Sequence, residues 1–205
     1  MTVLALALAS GLSAQWTPTK AVFDVQKPTM KVFLPKDDLN TGRAVVACPG
    51  GSYLGHAIAH EGWDWAPYFN KQGIALIVLQ YTLPAGDRTK PIADAEAAIK
   101  MVRDSAEVWH IDPTQVGIMG SSAGGHLAST IATHSTAPEV RPDFQILFYP
   151  VISMDPKKGH QLTHENFLGK NASKELIDLY SNEKQVTPNT PVSYTHLTLP
   201  TKRIV

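Results

Sequence analysis

The sequence predicts an α/β protein built on a mostly parallel sheet with helices on both faces. Apolar runs of strand length alternate along it with stretches whose apolar residues recur three and four positions apart. The longest strand-like run, Gly73 to Gln80, is apolar almost throughout, as a strand covered on both faces must be. Composition agrees with this. Of 205 residues 43% are hydrophobic, enough for one core, and no internal repeat, low-complexity stretch or linker divides the chain. The 18 Lys and Arg balance 18 Asp and Glu, so nothing offsets a phosphate backbone and no nucleic-acid partner is expected. The single cysteine, Cys48, excludes an internal disulfide framework and any multi-cysteine metal centre.

Val3 to Leu12 is an apolar run followed by small residues up to Ala14. Too short to span a bilayer, it reads as the h-region of a signal peptide, although only Met1 and Thr2 stand where a basic n-region belongs. A buried strand is the alternative. Residues 1–14 are therefore expected to be a signal-peptide remnant, with export to a periplasm or out of the cell and no membrane association. Met30 to Leu34 and Ala44 to Ala47 are the first two clear strands, and Gly73 to Gln80 is the third. Trp63 and Trp65 open what reads as a helix, as core or pocket wall. A longer helix follows the third strand, with Pro91 near its first turn and Ile92, Ala95, Ile99, Val102 and Ala106 forming one apolar face. Val116 to Met119 and Phe144 to Tyr149 supply two more strands. Ser173 fits the cap of a short helix with Leu176, Ile177 and Tyr180 beneath it, which accounts for the glycosylation-like Asn171-Ala172-Ser173.

The chemistry concentrates at Gly120-Ser121-Ser122-Ala123-Gly124, between the strand at Val116 and an apolar, small-residue helix from Ala123 to Thr133. This is G-x-S-x-G in its strand–turn–helix setting. A serine on so sharp a turn takes strained backbone angles, the glycines leave room for the neighbouring chain, and the hydroxyl of Ser122 stands above the sheet. The helix N-terminus behind it favours a developing oxyanion. A plain glycine-rich turn capped by Ser121 or Ser122 is the non-catalytic reading. Pro49-Gly50-Gly51-Ser52-Tyr53 follows directly on Cys48, and its two glycines let backbone N–H groups turn inward.

Together with His60-Glu61-Gly62, LQYTLP at Leu79, IDPTQVGIMGSSAGGHLA at Ile111 and FYPVISM at Phe148, these residues resemble the α/β-hydrolase superfamily. Within it they resemble the bacterial acetyl esterase and lipase-like group, which includes exported esterases acting on acetylated or feruloylated xylan. The resemblance runs from about Lys20 to Pro191. It implies acyl transfer: Ser122 attacks an ester carbonyl, Gly51 or Ser52 and the N–H of Ala123 hold the oxyanion, and water releases the acyl-enzyme. Tyr53 would line the acyl pocket. The substrate would be a small-molecule or oligosaccharide ester, with no cofactor and no metal. The related hormone-sensitive-lipase group carries His-Gly-Gly-Gly where this chain has Pro49-Gly50-Gly51-Ser52.

The order Ser, then Asp or Glu, then His implies an acid and a base after the last two strands, which are expected to follow Pro191, so the predicted fold is an incomplete α/β-hydrolase domain over 20–191. Asp155 lies one strand too early for the acid. His126, four residues past Ser122 on the helix, fits packing or the surface, and His56 and His60 have a metal-like spacing without a third ligand. His196 lies in VSYTHLTLPT, which matches one reading frame of a transposase-type sequencing adapter codon for codon, so 192–205 is expected to be non-native, a natural C-terminal strand being the alternative. The chain by itself would then lack two triad members. Two other function classes stay open: a serine peptidase of the prolyl-oligopeptidase kind, which would usually carry a propeller in front, and a non-catalytic module on a hydrolase scaffold, which should show damage at Ser122 or the Gly50-Gly51 loop. Resequencing the source gene past the codon for Pro191 is expected to reveal an open frame running into a strand, an Asp-bearing turn, a helix, a last strand and a His-bearing loop; a stop codon there would refute the truncation.

Overall fold

A computed structural model describes residues 18–196, so the signal-like run and the chain after His196 lie outside the described residues. Seven strands form one sheet: β1 (Thr19–Gln26), β2 (Thr29–Pro35), β3 (Arg43–Cys48), β4 (Ile74–Leu79), β5 (Val116–Ser121), β6 (Phe144–Phe148) and β7 (Val192–His196). Their spatial order is β1-β2-β4-β3-β5-β6-β7. β2 runs antiparallel to both β1 and β4, and every other pairing is parallel. The helices are α1 (Ala66–Lys71), α2 (Thr89–Asp104), α3 (Ala106–Trp109), α4 (Ser122–His134), α5 (Gln161–Leu168) and α6 (Lys174–Tyr180).

The all-apolar central strands serve two cores at once. On one face Val46, Ile77 and Ile118 pack with Ile99 and Val102 of α2 and Leu127 and Ile131 of α4. On the other, Val45, Leu76, Val78 and Met119 pack with Ala66 and Phe69 of α1. Alternate residues of each strand therefore feed opposite faces, and a continuous apolar run is what that geometry requires.

Four features differ from the sequence expectation. β1 has no apolar run, because only Ala21, Phe23 and Val25 turn inward on an edge strand that is half-buried along one face. The long helix stops at Asp104, since Ser105 leaves helical geometry at φ −95 and ψ 5, and Ala106 opens α3 instead. The Trp63–Trp65 segment is a 3-10 turn that leads into α1. The seventh strand occupies Val192–His196, where side-chain periodicity predicts none. It pairs with β6 from Phe144↔Val192 to Phe148↔His196 and exposes all five of its residues. The open edge of β6 offers unpaired N–H and C=O groups, and a backbone ladder of this kind needs no alternation of side chains. One of the two strand positions expected beyond β6 is thus filled from within 192–205.

Asn70 of α1, fully buried, ties the antiparallel end together. Its Nδ2 donates to the carbonyls of Phe33 (3.1 Å) and Ile74 (2.9 Å), and its Oδ1 accepts from the Thr19 hydroxyl (2.7 Å). Asn70→Ala is expected to strand these groups and lower the unfolding free energy by about 1–3 kcal/mol, read from urea denaturation, whereas an exposed substitution such as Asp104→Ala should change it by less than about 1 kcal/mol.

Candidate active site

β5 ends at Ser121 in extended geometry, and the next residue, Ser122, turns to φ 51 as the first residue of α4. A left-handed serine costs about 1–3 kcal/mol, so the surrounding packing must hold it there. The two motif glycines show how. A Cβ on Gly120 would lie 2.1 Å from the Gly124 carbonyl oxygen, and one on Gly124 would lie 1.9 Å from the Cys48 carbonyl oxygen. Both positions are closed to any side chain, and the first turn of α4 thereby rests on the end of β3. As one of the first N–H groups of α4, that of Ala123 has no acceptor within the helix, and the first turn carries no acidic residue to oppose an anion.

The parallel register Cys48↔Gly120 brings the loop after β3 alongside this turn. The two meet at Gly50, where a Cβ would come within 3.0 Å of Ser122 Cβ. Gly51, Ser52 and Tyr53 follow at φ 133, 54 and 59, three consecutive left-handed residues. The loop is pinned on several sides: Leu54 N–H donates to Gly51 O (2.9 Å), Asn166 Nδ2 to Ser52 O (2.8 Å) and the Tyr81 hydroxyl to Pro49 O (2.7 Å). Gly50 N–H is taken up by the Glu61 carboxylate at 2.6 Å. The N–H groups of Gly51 and Ser52 have no acceptor among the described residues.

Tyr53, expected at the acyl pocket, is only 2% exposed and sits in the core. Its ring stacks on Phe167 at 4.8 Å and meets His126 edge-on. Burial raises its phenol well above the usual range. His126 is also fully buried. Its Nε2 lies 3.0 Å from the Tyr180 carbonyl, which can only accept, so Nε2 carries the proton and Nδ1 accepts from the Tyr53 hydroxyl at 2.9 Å. Desolvation pushes the His126 pKa down to about 4, opposed by the bond to Tyr180. This histidine is a neutral core residue that joins the loop after β3, α4 and the end of α6.

No described histidine makes a hydrogen bond with the Ser122 side chain, His126 included. His56 packs edge-on against Tyr81 at 4.5 Å, and burial lowers its pKa. His60 is exposed. His134 stacks on Tyr180, His160 caps α5, and His164 Nδ1 pairs with the Met154 carbonyl at 2.6 Å. His196 lies on exposed β7 and contributes its carbonyl to Tyr149 N–H at 2.7 Å. Asp155 turns its carboxylate onto Lys157 N–H at 3.0 Å, closing its own turn. Among the described residues no group of three or more His, Cys, Asp or Glu could hold a metal, and no helix is long and apolar enough to cross a membrane. Two residues that no catalytic motif predicts also border the Ser122 turn: Glu61 of His-Glu-Gly, and Tyr149, the first residue after β6.

A family pattern described as the alpha/beta hydrolase fold matches residues 45–200. The chain belongs to the α/β-hydrolase family. It is 49% identical over 185 residues to an acetylxylan esterase of Xylanibacter ruminicola, covering 88% of the present chain and 38% of that protein. It is 33% identical over 178 residues to endo-1,4-beta-xylanase B of Butyrivibrio fibrisolvens, covering 80% and 28% respectively. It therefore spans well under half the length of either relative. Among solved structures, an acetyl ester-xyloside bifunctional hydrolase from Caldicellulosiruptor lactoaceticus superposes with a TM-score of 0.76 at 27% identity, over 89% of this chain and 75% of that one.

His126 makes stability depend on pH. Below its ordinary value of 6.5 the unfolded chain takes up a proton that the folded chain refuses until about pH 4, so stability is lost as pH falls through that window. The loss attributable to this group is on the order of 3 kcal/mol. His126→Gln retains a donor for Tyr180 and an acceptor for Tyr53, so its urea midpoint should fall less than the parent's between about pH 7 and about pH 4.5; equal declines would refute the assignment.

Proposed function

We propose that this chain carries the nucleophile and oxyanion half of a serine esterase that removes acyl groups from O-acetylated or similarly esterified carbohydrate. The observation that carries the reading is Ser122, a non-glycine residue held at φ 51 on a strand-to-helix turn with the glycine loop after β3 packed against it. Strain of this kind persists where the surroundings over-determine it, and it presents Oγ at the start of a helix. In the proposed reaction Oγ adds to the ester carbonyl, and the oxyanion is held by the N–H of Ala123 and by that of Gly51 or Ser52. The alcohol departs with a proton, and water then cleaves the acyl-enzyme to free acid and serine. The carbohydrate substrate is taken from the acetylxylan esterase and xylanase relatives, and the exported location from the signal-like run Val3 to Leu12 alone.

The proton traffic needs a base and its orienting acid. We place both outside the described residues, because no described histidine engages Ser122. Without them only the oxyanion donors and substrate binding remain, a loss on the order of 10⁴ to 10⁶ in rate. The 205-residue chain should therefore turn over p-nitrophenyl acetate barely above background and react slowly with a fluorophosphonate probe. Joined to a native C-terminal segment of roughly 80–100 residues, it should gain both activities, and Ser122→Ala should abolish them. Fast, Ser122-dependent labelling of the unextended chain would show a base within it and refute the division of the triad.

A further inference from the structure

The His60-Glu61-Gly62 motif is not used by the chemistry above, yet Glu61 lies in the middle of the site. Its side chain is only 13% exposed. Oε2 accepts the Gly50 N–H at 2.6 Å, and Oε1 accepts the Tyr149 hydroxyl at 2.7 Å. A Cβ on Gly50 would lie 2.6 Å from Oε2, so the carboxylate reaches the loop only because residue 50 is glycine. Tyr149 is the first residue after β6 and is turned to φ 34. Two residues later Val151 N–H donates to the Ser122 carbonyl at 2.9 Å. β3 and β6 flank β5 on either side, so one carboxylate spans the nucleophile turn from the loop before it to the loop beyond it.

We propose that Glu61 is a positioning residue: by accepting from Gly50 and Tyr149 together, it sets the orientation of the peptide planes that present the Gly51 and Ser52 N–H groups beside Ser122. The inference rests on the serine-esterase reading. Hydrogen bonds to a carboxylate are roughly twice as strong as neutral ones, and this pair joins two strained turns that would otherwise relax independently. Fixing Gly50 N–H onto Glu61 also removes it from competition for the oxyanion, leaving the next two amides as the donors. Burial and the neighbouring Glu61 raise the Tyr149 phenol, in keeping with a hydroxyl that stays protonated and donating. Glu61 touches neither Ser122 nor any reacting atom and acts through the loop.

The test compares Glu61→Ala, Glu61→Gln and Tyr149→Phe in the full-length protein that contains this chain, with p-nitrophenyl acetate as substrate. Glutamine keeps an acceptor for Gly50 N–H and supplies an amide donor to the Tyr149 oxygen. Glu61→Ala should lower kcat by about 100-fold with KM changed less than about threefold, the pattern of a misaligned oxyanion donor. Glu61→Gln should restore kcat to within about tenfold of the parent, with Tyr149→Phe in between. In the 205-residue chain, where turnover is not needed, amide exchange at Gly50 should quicken by about tenfold or more in Glu61→Ala and stay near the parent in Glu61→Gln. Parental kcat in Glu61→Ala, a Gln variant as impaired as the Ala one, or unchanged Gly50 exchange would each overturn the proposal. A parent protein that hydrolyses no ester would instead overturn the esterase reading, with the Gly50 exchange result still reporting the anchor by itself.

Discussion

The site depends first on how closely two backbones approach each other. The first turn of α4 lies against the last carbonyl of β3 with no room for a Cβ at Gly124, and that contact brings the Ser122 turn and the glycine loop to one point. The approach is possible because β3 and β5 are adjacent parallel strands in register, Cys48 opposite Gly120, so their C-terminal ends finish at the same height. In a parallel sheet every strand delivers its following loop to the same edge, and function collects there. Among the described non-glycine residues, positive φ collects on this edge, at Ser122, Ser52, Tyr53, Tyr149 and Ala85 in the loop after β4, and His110, ahead of β5, is the one on the opposite edge.

Holding such turns requires rigid support, and α4 provides it. Ten consecutive residues from Ala123 to Ala132 are buried, so the helix has no solvent face, and its polar side chains must find partners inside. Asn182 meets that need from a separate segment. Its Nδ2 reaches the His126 carbonyl (3.2 Å), Ser129 Oγ (2.6 Å) and Thr130 Oγ1 (3.0 Å). His126 adds the Tyr53 and Tyr180 contacts on the adjoining side. The result is a satisfied polar network through an otherwise apolar core, which fixes one arrangement of helix and loop where an apolar interface alone would tolerate several.

Buried charge is used sparingly around Ser122. Cys48 and Tyr81, next to the loop, are held in their neutral forms by burial. Glu61 is the exception, a largely enclosed carboxylate with two donors on its two oxygens. An acceptor so placed orders the loop, and its two hydrogen bonds offset part of the cost of enclosing its charge.

The sequence by itself determined the central layer and the sharp turn at Ser122. A strand buried on both faces can only be an unbroken apolar run, and a G-x-S-x-G between such a run and a small-residue helix leaves one sharp turn for the serine, so β3, β4, β5 and Ser122 were legible from local pattern. Pattern failed where burial is partial or comes from the backbone. β1 offers three inward side chains, and β7 joins by ladder bonds with none buried. Only the tertiary structure decided that Tyr53 belongs to the core, that His126 is neutral and structural, and that Glu61 braces the loop. Each of those roles is set by partners 11 to 114 positions away in sequence, and no local periodicity encodes a contact of that separation.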